Sequence, residues 1–396
     1  MTGLRPAFVL LFPVELERAF GGFAPPVEGA EPMPAELTRA YLDRISLVES
    51  RFLGRAYVES ARTRRVPLGR FALGETEDRA APAHADVYLV VHVSGVALWE
   101  AWVTAPVQPL DAARWSGWLD PEAEDGIAVR LGRALQPATQ SIGGRVASED
   151  YFPLSIVRAP HSPLAPILEK QGEDFVRLLF IDRSKRRFKA GMVAQELARD
   201  YCSREGGLTL LSRRGGLDMH GSEDASADDD PGLPPRSALP FMITVEQLLL
   251  ERAVLRRLHR KLSHSVPASL EDLIALKQQV LDGLEEYYGA ITAANRLGDE
   301  VAAAGEQLLG ILNLYEAVMD RLDAVSFAIT MRYQKRMTLL QFWLTLVFGA
   351  TEIGFIASGI AAWYYRSELW AVLAWTVGSS LAAALVLLLL LRKKVE

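Results

Sequence analysis

Hydrophobic positions fall into three regimes along the chain. Up to about residue 220 they come in short runs rich in β-branched and aromatic residues: Phe8–Leu11, Val87–Val93 (VYLVVHV), Ala97–Val103 and Phe175–Ile181 (FVRLLFI). Such runs predict buried strands. Helical spacing between them predicts helices at Pro34–Val48, near Leu164–Gln171 and at Ala190–Tyr201. Gly206-Gly207 and Gly215-Gly216 flank LTLLSRR and predict a hairpin. Residues 1–220 therefore read as a mixed α/β domain, although the pattern does not give its strand order.

The second regime starts after an acidic, proline-rich linker or exposed loop at 221–240, GSEDASADDDPGLPPRSALP. A helical stalk region, 241–337, follows. It opens with a partly basic helix at Thr244–Ser263, stopped near Pro267. Ser269 with Asp272 caps a second helix. A third begins near Ala294 and meets no proline before Tyr365. With only Gly298, Gly305 and Gly310 as weak points, it is expected to run unbroken into the third regime.

That last regime is apolar. Thr338–Tyr365 and Leu369–Leu391 are each long enough to cross a hydrocarbon core of roughly 30 Å, which needs about 20 helical residues. They predict a transmembrane hairpin of spans 338–365 and 369–391, joined by a turn at 366–368 and closed by a tail at 392–396. Arg332, Lys335 and Arg336 precede the first span, and Arg392, Lys393 and Lys394 follow the second. The turn carries only Arg366, offset by Glu368. This asymmetry predicts an inner (plasma) membrane protein with both termini cytosolic and the turn outside. Trp363, Tyr364, Tyr365 and Trp370 form an aromatic belt at the outer interface. The fold class expected is α+β: a cytosolic α/β domain, long stalk helices and a C-terminal two-helix hairpin.

A net charge of −6 argues against a nucleic-acid partner. The single cysteine, Cys202, excludes a disulfide framework or thiolate cage and reads as a small buried residue. The opening apolar run closes at Pro13 and Glu15, too soon for a signal peptide, so the N-terminal part is read as a buried strand that is not exported. The chain holds no P-loop, dinucleotide fingerprint or HExxH pair, so neither an enzyme nor an organic cofactor is expected. His259 and His264 read as solvated or intersubunit residues rather than metal ligands, the acids Glu223, Asp224 and Asp228–Asp230 as a solvated run rather than a divalent-ion site, and the basic run Arg252, Arg256, Arg257, Arg260, Lys261 as a solvated helix face rather than a site for a phosphate-bearing ligand or lipid headgroups.

One stripe stands out. At 100° per residue, Thr338, Gln341, Thr345, Gly349, Glu352, Ile356, Gly359 and Trp363 fall within roughly 80° of one another. A carboxylate near mid-span costs a few kcal/mol and normally faces a bundle interior or water. Traced back, the face collects Glu316, Asp320 and Asp323 of the stalk. It either lines a pore made by several copies, with Glu352 the candidate metal-attracting group, or it is helix–helix glue in which Gly349 and Gly359 permit close contact.

This organisation resembles the CorA family of divalent-cation transporters, most closely at Phe355-Ile356-Ala357-Ser358-Gly359-Ile360 and the Arg392-Lys393-Lys394 tail. The resemblance implies a homopentamer in a lipid bilayer, gated by its cytosolic domain. It would conduct a divalent cation (Mg, Co or Zn). Where the family carries Gly-Met-Asn at the outer entrance, this chain has Ala362-Trp363-Tyr364. That departure keeps a second expectation open: a membrane effector or sensor on a CorA-like scaffold, controlled by a small regulatory ligand.

Overall fold

Alternating strand residues that present one apolar and one partly polar side assemble into a single mixed sheet. The computed structural model describes residues 3–16, 30–52, 63–73, 81–147, 150–184, 186–222, 235–264, 271–272, 274–275, 278, 296–365 and 368–395. The strands are β1 (Arg5–Leu16), β2 (Ala30–Glu31), β3 (Thr63–Ala72), β4 (His84–His92), β5 (Val96–Thr104), β6 (Gly144–Val146), β7 (Phe152–Arg158), β8 (Gly207–Leu211) and β9 (Gly216–His220). The helices are α1 (Ala35–Phe52), α2 (Ala112–Leu119), α3 (Ile127–Ser141), α4 (Leu164–Leu179), α5 (Ala190–Leu197), α6 (Leu239–His264), α7 (Arg296–Leu308), α8 (Ile311–Tyr365) and α9 (Leu369–Val395).

Strand order is β2-β3-β4-β5-β1-β7-β9-β8, with β6 beside β1. The described pairs are antiparallel except β7 with β9, whose crossover carries α4 and α5. The described parts of Met1–Val266 and Ile274–Arg321 form one compact unit, and those of Pro267–Leu273 and Leu322–Glu396 form a second. The first unit thus continues past residue 220 and takes in α6 and α7.

Register sorts the first unit's interior into two halves. Phe8, Leu10 and Phe12 of β1, Trp99 and Ala101 of β5, and Val87 and Leu89 of β4 point to one side. There they pack with Trp115, Leu131, Leu135 and Phe175 of α2, α3 and α4 in an apolar core. Trp99 also donates from Nε1 to Thr139 Oγ1 of α3 at 2.8 Å, so this large ring is buried with its polar atom satisfied. The opposite face carries Arg65, Asp86, Tyr88, Glu100, Trp102 and Asp218, and α1, α6 and α7 cover it. From Phe241 to Leu250 every residue of α6 is buried, as befits a helix walled in on all sides.

Three expectations need correction. Phe175–Ile181 is not a strand: Phe175 to Leu179 are the last residues of α4. A short apolar run suits a buried strand and a buried helix equally. Here Leu164, Ile167, Phe175 and Leu179 form one helical stripe against the sheet. The helix stops in a Schellman turn, with Asp182 N donating to Arg177 O and Ile181 N to Leu178 O; Ile181 takes φ 53°. Cys202 is half-buried rather than buried, its thiol pushed up by desolvation. The long helix is not unbroken either. α7 ends at Leu308 and Gly310, at φ 67°, sets the break before α8. A glycine there avoids the Cβ clash of the left-handed region. The acidic run 223–230 and most of the helix expected after Ser269 lie outside the described residues.

Gly310→Ala is expected to lower the unfolding free energy by about 1 kcal/mol, since alanine must hold a left-handed φ. Urea unfolding followed by tryptophan fluorescence would read the loss.

Candidate functional site

α8 is 55 residues long, about 80 Å at 1.5 Å per residue, so it can cross a bilayer and still leave roughly half its length outside. α8 and α9 are both long and apolar enough to cross a membrane. Within this second unit they pack through small residues. Leu346, Ala350, Gly354 and Ala361 are the buried positions of α8's apolar half. Gly354 faces Ser380 so closely that an added Cβ would collide with its hydroxyl, while the Thr376 carbonyl lies 3.3 Å from that Cβ position. Ser380 is therefore packing, as its small size suggests.

The polar stripe lies elsewhere on α8. Thr338, Gln341, Thr345, Glu352, Ile356, Gly359 and Trp363 are exposed and Gly349 is half-buried. At 100° per residue their face is centred roughly 140° from the Gly354 seam. Ala362 and Tyr364, the other entrance positions, are exposed as well. An added Cβ at Gly359 would meet nothing within 4 Å, so this glycine makes no close approach within the chain. The glue reading thus belongs, inside the hairpin, to Gly354 and not to Gly359. Glu352 sits among Phe348, Gly349, Phe355 and Ile356, with no basic side chain in its neighbouring turns.

Nearer the start of α8, Ile311, Val318, Leu322, Val325 and Ile329 are buried at three-, four- and seven-residue intervals. This is the seam of a helix packed along one side. Glu316, Asp320 and Asp323 lie off it and are exposed. Hydroxyls along α8 return to their own backbone, for example Thr338 to Gln334 O and Thr345 to Gln341 O, each at 2.8 Å. They therefore place little unsatisfied polarity on the helix surface, and Glu352 dominates the stripe.

Charge in the first unit is treated differently. Arg65, with its side chain 4% exposed, reaches Glu49 at 3.0 Å, Glu100 at 2.5 Å and Glu246 at 2.5 Å; the last two carboxylates are fully buried. Tyr41 Oη and Trp102 Nε1 also donate to Glu100. Three carboxylates about one guanidinium exceed its charge. Burial, reinforced by the charge of Glu100 against the pull of Arg65, pushes Glu246 up to about 8. Glu251, one turn on, is pushed up to about 7 by burial and then by Glu306 of α7. Beyond them, Thr209 Oγ1 donates to Asp218 Oδ1 and His220 Nε2 lies 2.7 Å from Asp218 Oδ2. This hydroxyl serves the carboxylate and not the imidazole, unlike an activated nucleophile.

The basic run on α6 is not a solvated face. Arg252 and Arg256 pair with Asp150, Arg257 donates to the carbonyls of Ser94 and Gly95, and Arg260 pairs with Glu15. These contacts tie the end of α6 to the sheet. Sequence reasoning missed both clusters, although a glutamate at Glu100 inside a strand otherwise made of Val, Ala, Leu and Trp up to its terminal Thr104 was a visible signal. Among the described residues no three His, Cys, Asp or Glu side chains come together as a metal cage.

Comparison of the chain with family models, curated proteins and solved structures finds no match.

Arg65→Met would strand buried carboxylates and is expected to cost about 3–5 kcal/mol in urea unfolding. The raised Glu246 and Glu251 carboxyls bind protons in the folded chain that the unfolded chain, titrating near 4.5, has already released. Stability should therefore fall as pH rises from about 4.5 to about 8. Glu246→Gln should flatten that slope; an unchanged slope would assign it to other groups.

Proposed function

We propose that this chain is a CorA-like membrane channel that conducts a divalent cation along the Thr338–Trp363 face of α8, under control of the soluble unit. One observation carries the reading: Glu352 and its stripe point away from the seam that α8 shares with α9. A single hairpin would leave that carboxylate in hydrocarbon at a cost of a few kcal/mol. Copies of α8 arranged around a common axis would instead give it water and a cation to attract. Exposed Glu316, Asp320 and Asp323 would form further rings where the path meets the cytosol. The family resemblance makes the assembly a homopentamer, with both termini cytosolic in the inner membrane and tilting of α8 as the gate. Hydrated Mg²⁺, Co²⁺ or Zn²⁺ would be cargo; no covalent chemistry is required.

The entrance favours a second reading. Ala362, Trp363 and Tyr364 stand where the family has Gly-Met-Asn, and Trp363 is 80% exposed. A ring of indoles lacks the amide oxygen and small backbone that receive a hydrated ion. An effector or sensor that keeps the scaffold without magnesium transport would show that substitution.

Flux of Mg²⁺, Co²⁺, Zn²⁺ and monovalent ions into proteoliposomes separates the two. Selective divalent flux, cut several-fold by Glu352→Gln, supports the channel. An intact oligomer that passes none of these ions supports the effector.

A further inference from the structure

Within the first unit, α6 and α7 lie against each other. A Cβ added at Gly305 would collide with Leu248 Cδ1 and lie 3.4 Å from Leu211 Cδ2 of β8. One added at Gly298 would meet Thr244 Oγ1 at 3.9 Å, so the two helices run in the same direction. Val301, Ala302 and Gly305 form the buried side of α7.

The same seam holds two carboxyl groups. Glu251 is three residues on from Leu248, about 60° round α6, and Glu306 follows Gly305 on α7. Glu251 is 2% exposed, and its Oε2 has no hydrogen-bond partner among the described residues. Neither acid has an ion-pair partner among them. A buried carboxyl without a partner is expensive to ionise and holds its proton instead.

The other charged groups around α6 are engaged elsewhere. Arg252 and Arg256 pair with Asp150, Arg260 with Glu15 of β1, and Arg257 donates to the carbonyls of Ser94 and Gly95. Glu49 of α1, Glu100 of β5 and Glu246 of α6 share Arg65 of β3, and Asp218 pairs with His220 on β9. Lys261 of α6 and Asp299 and Glu300 of α7 are exposed, and His259 lies two turns beyond Glu251. Glu306 is thus the charge that Glu251 meets across the seam. Burial and then Glu306 push Glu251 up to about 7, and burial raises Glu306 as well.

We propose that α7 is a proton-controlled latch: it is docked on α6 while Glu251 is protonated, and loss of that proton against the charge of Glu306 releases it. The latch bears on the helix that carries Glu352, which α7 joins through Gly310. It goes beyond the conduction reading and does not rest on it, because local opening is measured on purified protein whether or not ions flow.

A released Glu251 titrates near 4.5, so docking is strongest below that value and weakens as pH rises to about 7. Hydrogen exchange of the full-length protein in detergent, corrected for the intrinsic rate at each pH, reads this opening. From about pH 5 to about pH 8 the opening constant of the α7 amides should rise at least about tenfold, and at every pH it should exceed that of the β5 amides. Glu251→Gln, which keeps the shape of the protonated acid, should abolish the rise, and Glu306→Gln should reduce it. His259→Gln and Glu246→Gln should leave it in place. The proposal is overturned if the opening of α7 does not increase with pH, or if the increase survives Glu251→Gln. One opening constant shared by α7 and β5 at every pH would also overturn it, since α7 would then leave only when the whole unit unfolds.

Discussion

Charge taken out of water must find opposite charge or donors nearby, and this chain meets the requirement in two different ways. In the first unit the answer is internal. Arg65 gathers Glu49, Glu100 and Glu246, with Tyr41 and Trp102 completing the shell of Glu100. Burial, with the charge of Glu100 added against the pull of Arg65, pushes the Glu246 carboxyl up to about 8, so the surplus acid is relieved by holding a proton. The cluster joins β3, β5, α1 and α6 through one guanidinium, and so fixes how the helices lie on the sheet. In α8 the requirement is not met among the described residues: Glu352 is exposed and lies away from the Gly354 seam. The proposed function rests on that asymmetry: an assembly or a water-filled path would supply what the described residues do not.

Much of the fold could be read from periodicity. β1, β4 and β5 contain the runs expected as strands, α1 and α5 coincide with expected helices, and the paired glycines open the β8–β9 hairpin. The failures have local causes. FVRLLFI has no period that distinguishes strand from helix, and its place in α4 depends on the helical stripe begun at Leu164. The break at Gly310 needed a φ value that a sequence does not carry. The basic helix α6 looked amphipathic and solvated because its counter-charges, Asp150 and Glu15, are distant in sequence.

Less of the candidate sites was legible. The α8 stripe could be derived because helical geometry is local, and its exposure follows the 100° step. Which face would meet α9 could not be derived, since Gly354 and Gly359 are equally small, yet Gly354 meets Ser380 and Gly359 meets nothing within 4 Å.

The central claim, that the Glu352 face of α8 borders water and not lipid, is tested most directly by cysteine accessibility in membranes. In a Cys202→Ser background, single cysteines at Thr345, Glu352 and Gly359 should react with a membrane-impermeant thiol reagent. Cysteines at the exposed Leu340 and Val347, about 140–160° round the same helix from the stripe, should not. Equal protection of all five positions would place the stripe in hydrocarbon or in a dry contact and contradict the account.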